Sequence, residues 1–383
     1  MISMIQKRIH IKRKWLLSVF IMIPLCFFYV AQYGFPCSTF MLKKGSALIV
    51  GHNLDERGHV PGVVVINKRG VFKRGKSLYE ILSGKPAPNP PLKWISKYGS
   101  VTFNPFCRDF PDGGMNEAGL FIEEMTLQGT RFPEDESKPL VFMMQWMQYV
   151  LDNYETIDQV IQSAHDFTID GWTWHFFTAD RKGNAAVIEF LDGEVKVFEK
   201  DRLPITALCN AKYSAEMQSL RKYEGFGGDQ AIEFDNKKLP RFVHAAQMLK
   251  DYDSSEKPAV EYGFDILAQL ERGGTQWSYV CDLKNLKAYF RTSRASKIKE
   301  LDLRSFDLSC KTSVKMLDIH SFLAGNVGEN FQDYSLDYNR EFVKKAVEEL
   351  GENFENFLKS KGSTLSQVIE RLAGFSELTR CTK

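Results

Sequence analysis

Cys37 is the residue whose type and position say most about chemistry in this sequence. It follows closely on an apolar stretch, Trp15–Ala31, and opens the run Cys-Ser-Thr-Phe-Met-Leu. Removal of the apolar stretch during export would leave Cys37 at or near a new N-terminus. A terminal cysteine combines a thiol nucleophile with a base, its own α-amino group. This combination predicts acyl transfer by an N-terminal nucleophile.

Residues 1–31 have the pattern of a secretory signal peptide. Lysines and arginines precede the apolar stretch, which Pro24 interrupts. The stretch is at the short end for a bilayer span, which favours cleavage over anchoring. Cleavage after Ala31 would leave residues 32–36 as a short pro-segment ahead of Cys37. We therefore expect an exported protein, periplasmic or secreted; retention by an uncleaved N-terminal anchor is the alternative.

The amino-acid composition limits which class of protein and which partners are expected. Of the 383 residues, 44% are hydrophobic and 26% charged, and the formal net charge is +2. These values are typical of a globular protein. The charge gives no reason to expect a nucleic-acid partner, and no membrane partner is expected after processing. Because no internal repeat or clear linker appears, residues 37–383 are predicted to form a single catalytic domain.

The cysteines outside the signal segment show no metal-type arrangement. They form no CxxC pair and no zinc-like spacing with histidine, so no metal and no cofactor are predicted. Export permits disulfides, and Cys310 with Cys381 is a conceivable bridge that the sequence alone does not establish. Cys209 and Cys281 lie in apolar runs, which predicts buried free thiols.

Short strand patterns dominate the body of the chain, and helical patterns occur in a few blocks. Strands are predicted at 38–42, 47–51, 62–67, 100–103, 114–125 (as a pair), 173–178, 185–190, 195–198, 277–282 and 288–292. Helices are predicted at 140–151, 156–164, 241–249, 340–358 and 364–372. Strand pairs separated by helix pairs favour an α+β layered fold over alternating βαβ units.

Five separated segments share one explanation. In chain order they are Cys37-Ser-Thr-Phe, Gly51-His-Asn-Leu-Asp55, Gly114-Met-Asn-Glu-Ala-Gly-Leu120, Leu208-Cys-Asn210 and Arg241-Phe-Val-His-Ala-Ala246. Each segment is a weak signal alone, but their order behind Cys37 is fairly specific. Over residues 37–292 the chain resembles the choloylglycine hydrolase and penicillin V acylase family, which are cysteine N-terminal-nucleophile amidohydrolases.

The resemblance implies a fold, a reaction and residue roles. The implied fold is a four-layer αββα sandwich, and the implied reaction is hydrolysis of a linear carbon–nitrogen bond in a small N-acyl amide. Cys37 matches the nucleophile, and Asp55 matches the aspartate that holds the terminal amine. Asn210 matches an asparagine of the oxyanion hole, and Arg241 matches an arginine that supports the charge network. The family's tendency toward tetramers also predicts a homo-oligomer.

Two positions depart from the pattern of the bile-salt-hydrolysing members. His52 stands where they carry an arginine beside the nucleophile, and Thr126 stands where they carry a second asparagine. Both are candidate substrate-binding or supporting residues, and His52 is equally interpretable as a structural histidine. These two differences argue against bile salts as substrates more than they argue against amide hydrolysis by a terminal cysteine. Conjugated bile salts, phenoxymethyl penicillin, N-acyl homoserine lactones and other fatty acyl amides all remain candidate substrates.

Two other classes of function compete with the amidohydrolase. One is a membrane-anchored binding protein with Cys37 acylated by lipid. The residues before Cys37 are Gly34, Phe35 and Pro36, which do not match the aliphatic and small residues that lipidation needs. The other is an inactive family member that serves as an exported or membrane-anchored binding protein, an interpretation that rests on His52 and Thr126.

Overall fold

The fold was analysed in a computed structural model, which describes residues 37–236, 238–360 and 362–382. The predicted signal peptide (1–31) and pro-segment (32–36) lie outside the described residues, so their boundaries and the predicted export stay predictions. Within the described residues, no helix has the length and apolar character needed to cross a membrane.

Strands are spread along the whole described part of the chain. In chain order they are β1 (Ser38–Lys44), β2 (Ala47–Asp55), β3 (Val63–Asn67), β4 (Val71–Arg74), β5 (Lys93–Ile95), β6 (Ser100–Asn104), β7 (Gly113–Asn116), β8 (Phe121–Thr126), β9 (Leu140–Phe142), β10 (Thr168–Asp170), β11 (Trp174–Ala179), β12 (Ala185–Leu191), β13 (Glu194–Glu199), β14 (Ala207–Leu208), β15 (Thr275–Asp282), β16 (Lys287–Thr292), β17 (Lys299–Asp302), β18 (Lys315–Asp318), β19 (Gly325–Asn326), β20 (Gln332–Asp333) and β21 (Arg380–Cys381).

Helices occur between the strand groups and at the C-terminal end. They are α1 (Leu78–Ser83), α2 (Met143–Asn153), α3 (Ile157–Asp166), α4 (Tyr213–Leu220), α5 (Arg241–Asp251), α6 (Ala259–Leu270), α7 (Leu336–Glu349), α8 (Gly351–Ser360) and α9 (Leu365–Ala373). Capping boxes at Thr156 with Gln159 and at Thr364 with Gln367 define where α3 and α9 begin.

Two large sheets pack face to face. One has seven strands in the order β14-β1-β2-β15-β16-β17-β19, and the other has nine in the order β13-β12-β11-β8-β7-β6-β3-β18-β20. Helices α5 and α6 cover the outer face of the first sheet, and α2 and α3 pack on the second. Two smaller sheets, β10-β9 and β21-β4-β5, lie outside this pair. The predicted α+β, αββα sandwich is confirmed.

The space between the sheets is filled by apolar and aromatic side chains. Phe103 of the nine-stranded sheet stacks on Tyr279 of the seven-stranded sheet, with ring centroids 3.9 Å apart. On the outer face, Gly263 of α6 lets that helix approach closely, because a Cβ there would lie 2.8 Å from Ile49. Burial of this much apolar surface is the main source of stability in such a layered fold.

The predicted helix at 340–358 is wrong in one respect, because the structure divides the segment into α7 and α8. The break lies between Leu350, which caps α7, and Gly351, the first residue of α8, whose backbone φ of 69° is a left-handed conformation that suits glycine. The structure also contains α1, α4 and α6, which the periodicity did not predict. Helix α6 packs on β2 and β15 of the seven-stranded sheet, and Tyr213 of α4 packs on Phe198 and Phe242. Tertiary packing of this kind stabilises helices whose sequence pattern is weak.

The cysteine predictions agree with the structure. Cys310 and Cys381 form a disulfide that ties the C-terminal strand to the loop before β18. Cys209 and Cys281 are free and buried, as predicted, and Cys37 and Cys107 are free and buried as well.

Candidate active site

Several strands of the seven-stranded sheet begin or end at one place, where the candidate residues meet. β1 begins just after Cys37, and its antiparallel partner β2 ends at Asp55. β15 begins at Thr275, which lies opposite Asp55. β14 ends one residue before Cys209, beside the start of β1. Antiparallel pairing therefore places residues that are far apart in sequence at one end of the sheet.

The Cys37 thiol is buried in a polar environment. The residue is 3% exposed, and its Sγ lies 3.8 Å from the backbone carbonyl of Asp55, to which it donates. Burial raises the pKa of the Cys37 thiol well above its usual value, and the charges of Glu124 and Asp55 raise it further. In this environment the thiol is neutral near pH 7 and needs a base to become a nucleophile.

Asp55 is held by one side chain through one of its two carboxylate oxygens. Thr275 donates its hydroxyl hydrogen to Oδ1, while the buried Oδ2 has no hydrogen-bond partner among the described residues. Burial raises the pKa of Asp55 to about 7, and the Thr275 hydrogen bond and the positive charge of Arg241 limit the rise. A buried carboxylate with an open oxygen is suited to receive a cationic group such as an ammonium.

Arg241 forms hydrogen bonds both to the start of β1 and to the turn after β14. It is the first residue of α5, and its Nη1 donates to the carbonyl of Cys37 at 2.5 Å and to the Ser38 hydroxyl. Its Nη2 donates to Oδ1 of Asn210 at 2.9 Å. The planar guanidinium therefore bridges the start of β1 and the turn after β14, a geometry to which the arginine fork is suited.

The side-chain orientation of Asn210 is determined by two partners. Oδ1 accepts from Arg241, so the NH₂ group must point the other way, where Nδ2 donates to the carbonyl of Thr126 at 2.9 Å. Thr126, at the end of β8 in the nine-stranded sheet, thus contributes its backbone carbonyl to the site. An amide nitrogen carries two hydrogens, and this contact uses one of them.

His52 lies in the interior between the sheets. Its Nδ1 is 2.8 Å from the Thr39 hydroxyl, its Nε2 is 3.4 Å from Oε1 of Glu123, and its ring contacts Tyr279. Burial lowers the pKa of His52 to about 3. The side chain is therefore neutral near pH 7 and does not supply the positive charge of an arginine. Its Nε2 makes no hydrogen bond to the described residues, so both interpretations of this residue stay predictions.

The residues that carry this site lie within a segment that matches a known protein family. Residues 37–316 match the family described as linear amide C-N hydrolases, choloylglycine hydrolase family. The chain belongs to the choloylglycine hydrolase family. Members of this family are hydrolases that act on carbon–nitrogen bonds in linear amides.

Relatives within the choloylglycine hydrolase family agree in sequence and in fold. A penicillin V acylase of Pectobacterium atrosepticum is 25% identical over 265 residues, which is 57% of this chain and 69% of the relative. The structure of penicillin V acylase from Agrobacterium tumefaciens superposes with a TM-score of 0.68 at 24% identity, covering 78% of this chain and 98% of that one. A variant of conjugated bile acid hydrolase from Clostridium perfringens gives 0.58 at 18% identity, covering 74% and 97%. Identities this low make the last two comparisons statements about fold.

Several residues of this family member's site were not assigned a role from the sequence. The Thr275 hydroxyl donates to Asp55, and the Ser38 hydroxyl accepts from Arg241. Glu124 is 3% exposed, and among the ionisable neighbours it raises the pKa of Cys37 the most. Hydroxyl and carboxyl side chains on strands have no sequence signature that separates them from ordinary polar positions. Among the described residues, no group of three or more histidine, cysteine, aspartate or glutamate side chains is arranged to hold a metal ion.

Proposed function

We propose that the protein hydrolyses an N-acyl amide through a thioester formed on Cys37. The observation that carries this proposal is the Arg241 guanidinium, which holds the Cys37 carbonyl and the Asn210 amide in one hydrogen-bonded unit. A nucleophile and an amide donor held by the same rigid group are the two parts that acyl transfer needs close together.

Removal of the residues before Cys37 supplies the base. An α-amine has a reference pKa near 7.7–8.0, so a useful fraction is neutral near pH 7. The neutral amine takes the thiol proton, and the thiolate attacks the amide carbonyl to form a C–S bond. The amine is then protonated and gives this proton to the leaving nitrogen when the C–N bond breaks. The unpartnered Oδ2 of Asp55 is a suitable acceptor for the ammonium.

Asn210 is the proposed donor to the oxygen that becomes negative during attack. Because its Oδ1 faces Arg241 and one N–H is donated to Thr126, the remaining N–H is directed by contacts that do not depend on substrate. A donor fixed in advance needs no reorganisation during the reaction, which is why such donors contribute strongly to rate. Water then attacks the thioester and releases the acid.

The substrate class is an amide with a largely apolar acyl group. Trp172 and Trp174 pack with ring centroids 5.2 Å apart, and Trp174 lies opposite Thr126 in the sheet. Trp172 is partly exposed, which suits a pocket wall. The candidates are phenoxymethyl penicillin, N-acyl homoserine lactones or other fatty acyl amides, and conjugated bile salts, and the neutral, buried His52 disfavours the bile salts.

The test is a panel of these three substrates with processed wild-type protein and the Cys37→Ser variant. We expect turnover of at least one substrate by wild type and loss of nearly all of it in the variant, because a hydroxyl is a far weaker nucleophile near pH 7. Iodoacetamide should inactivate wild type by labelling Cys37, as located by peptide mass spectrometry.

The matched control is Cys281→Ala, which removes another buried free thiol outside the site. It should keep wild-type turnover and the same labelling site. Hydrolysis that persists in Cys37→Ser, or inactivation that maps to Cys281 or Cys209, would show that the nucleophile is another group.

A further inference from the structure

A buried pair, His175 and Glu189, lies next to the turn that carries Asn210 and has no assigned role. His175 is on β11 and Glu189 is on β12 of the nine-stranded sheet, and both residues are 0% exposed. These strands pair antiparallel with Phe176 opposite Ile188, which puts His175 and Glu189 side by side one position farther along. Buried polar groups of this kind are retained only with partners.

Both ends of the Asn210 turn are bonded to this pair. The Nε2 of His175 lies 2.7 Å from the carbonyl of Cys209, the residue just before Asn210. The Oε1 of Glu189 accepts from the backbone N–H of Tyr213, the first residue of α4, at 2.6 Å. The same Oε1 lies 3.4 Å from Nδ1 of His175. The pair therefore joins the nine-stranded sheet to the turn after β14 of the seven-stranded sheet.

The direction of the contact with the turn follows from its partner. A carbonyl oxygen only accepts, so Nε2 of His175 carries a hydrogen and donates it to Cys209. The other ring nitrogen, Nδ1, faces Oε1 of Glu189, which also accepts from Tyr213.

We propose that His175 and Glu189 are positioning residues that hold the 209–213 turn so that the Asn210 amide meets the substrate oxygen. This inference rests on the proposed function, because it assigns Asn210 a donor role. His175 and Glu189 touch neither substrate nor Cys37. They act by holding the backbone on both sides of Asn210, while Arg241 and Thr126 hold its side chain. Because a small misplacement of a catalytic donor lowers the rate strongly, such support affects turnover more than binding.

A double-mutant cycle separates positioning from general stability. His175→Leu removes the donor to Cys209 and should lower kcat by about 10- to 100-fold with KM changed by no more than about twofold. Asn210→Ala alone should lower kcat by about 10²–10³-fold. In the Asn210→Ala background, His175→Leu should cause little further loss, because the group that it positions is gone.

Conservative and control variants keep the outcome decisive. His175→Gln retains an N–H that can donate to Cys209 and should recover most of the lost kcat. The control is Asp180→Asn, at the opposite end of β11, where the carboxylate accepts from the first backbone N–H of α3 much as Glu189 does for α4. It should leave kcat unchanged. If His175→Leu does not fold, Glu189→Leu, which removes the acceptor of the Tyr213 N–H, replaces it in the cycle.

The possible results are distinct. Losses that multiply in the double variant, or equal losses in the glutamine and leucine variants, would overturn the positioning role. If wild type hydrolyses none of the amides, the proposed function is wrong and this inference falls with it. An active wild type with multiplying losses overturns only the role of His175 and Glu189.

Discussion

The chemistry at residue scale is governed by burial of groups that would otherwise be charged. Cys37 and Asp55 are both almost fully buried, and burial raises the pKa of each. Near pH 7 the thiol is therefore neutral, and the Asp55 carboxyl, with a pKa of about 7, is only partly ionised although Arg241 lies nearby. An α-ammonium at Cys37, which we expect processing to produce, would be a further cation beside both groups and would favour their ionisation.

Asp55 should make the stability of the uncut protein depend on pH. The pKa of Asp55 is about 7 in the folded protein and about 4 in an unfolded chain, so the folded state binds the proton more tightly. Ionisation between these values destabilises the folded state as the pH rises. The comparison uses two proteins that both carry Cys37→Ala, one with Asp55 and one with Asp55→Asn. The free energy of unfolding of the Asp55→Asn protein, relative to that of the Asp55 protein, should rise by up to about 1.4 kcal/mol per pH unit from pH 4 to 7 and level off above pH 7.

Urea unfolding of both proteins at several pH values measures this difference. Asp229→Asn, at an exposed site, controls for the change of carboxyl to amide and should give a constant difference. If the free energies of unfolding of the Asp55 and Asp55→Asn proteins differ by the same amount at every pH between 4 and 7, the Asp55 carboxyl is already ionised in the folded protein at pH 4.

How much of the site follows from sequence differs from residue to residue. Cys37, Asp55, Asn210 and Arg241 are each weak signals, but their order along the chain predicts all four, and the structure brings them together. Glu189 has no such signal, because its importance comes from a strand register and from the distant start of α4. Contacts across the two sheets depend on packing that a single sequence does not display.

At the scale of elements, the site is built where strands end and helices begin. Arg241 begins α5 directly after Pro240, and the first turn of that helix has no acidic residue. A positive charge at this end is unfavourable for the helix, because the helix N-terminus is itself partly positive. The position is explained by its partners Cys37, Ser38 and Asn210 and not by helix stability.

Arg241→Lys should therefore impair the enzyme although it keeps the charge. A lysine ammonium cannot bridge the Cys37 carbonyl and the Asn210 amide at once with the planar geometry of the guanidinium. We expect kcat to fall by about 10- to 100-fold, measured on the best substrate of the panel. Arg304→Lys is the control, since Arg304 pairs with Asp302 on the surface. Wild-type kcat in Arg241→Lys would mean that charge alone is sufficient.

Element predictions were most accurate where alternation or helical periodicity is strong. The strands predicted at 185–190 and 195–198 appear as β12 and β13, and the helix predicted at 241–249 appears as α5. The long helix at 340–358 failed at Gly351, where a left-handed backbone ends the first of two helices. Periodicity alone did not show this break, because the apolar pattern continues through it.

At the scale of the whole molecule, the two sheets bring segments from the start, middle and end of the catalytic region to one place. β1 and β2 supply Cys37 and Asp55, the turn after β14 supplies Asn210, and β15 supplies Thr275. The nine-stranded sheet contributes Thr126 and the pair His175 and Glu189. Assembly of the site therefore requires both sheets to be formed, and we expect any self-processing to follow folding.

The proposed mechanism also predicts how the chain matures. Activity should require removal of every residue before Cys37, because an α-nitrogen in a peptide bond is neither a base nor a proton carrier. Signal cleavage after Ala31 would leave residues 32–36, of which Pro36 is the last. Proline before the nucleophile is a poor site for a general signal peptidase, so the final cut should depend on Cys37 itself.

Two versions of the protein decide the question by intact mass and turnover. A version that begins Met-Cys37, from which a host aminopeptidase removes the methionine, should be active as purified. A version that begins at Gln32 and carries Cys37→Ala should keep residues 32–36, whereas the same version with Cys37 should lose them. The cut needs the folded site, since the Cys37 carbonyl is held by Arg241, so processing should stop in urea and resume on refolding. A fully active protein that still carries residues 32–36 would show that the α-amine of Cys37 is not the base.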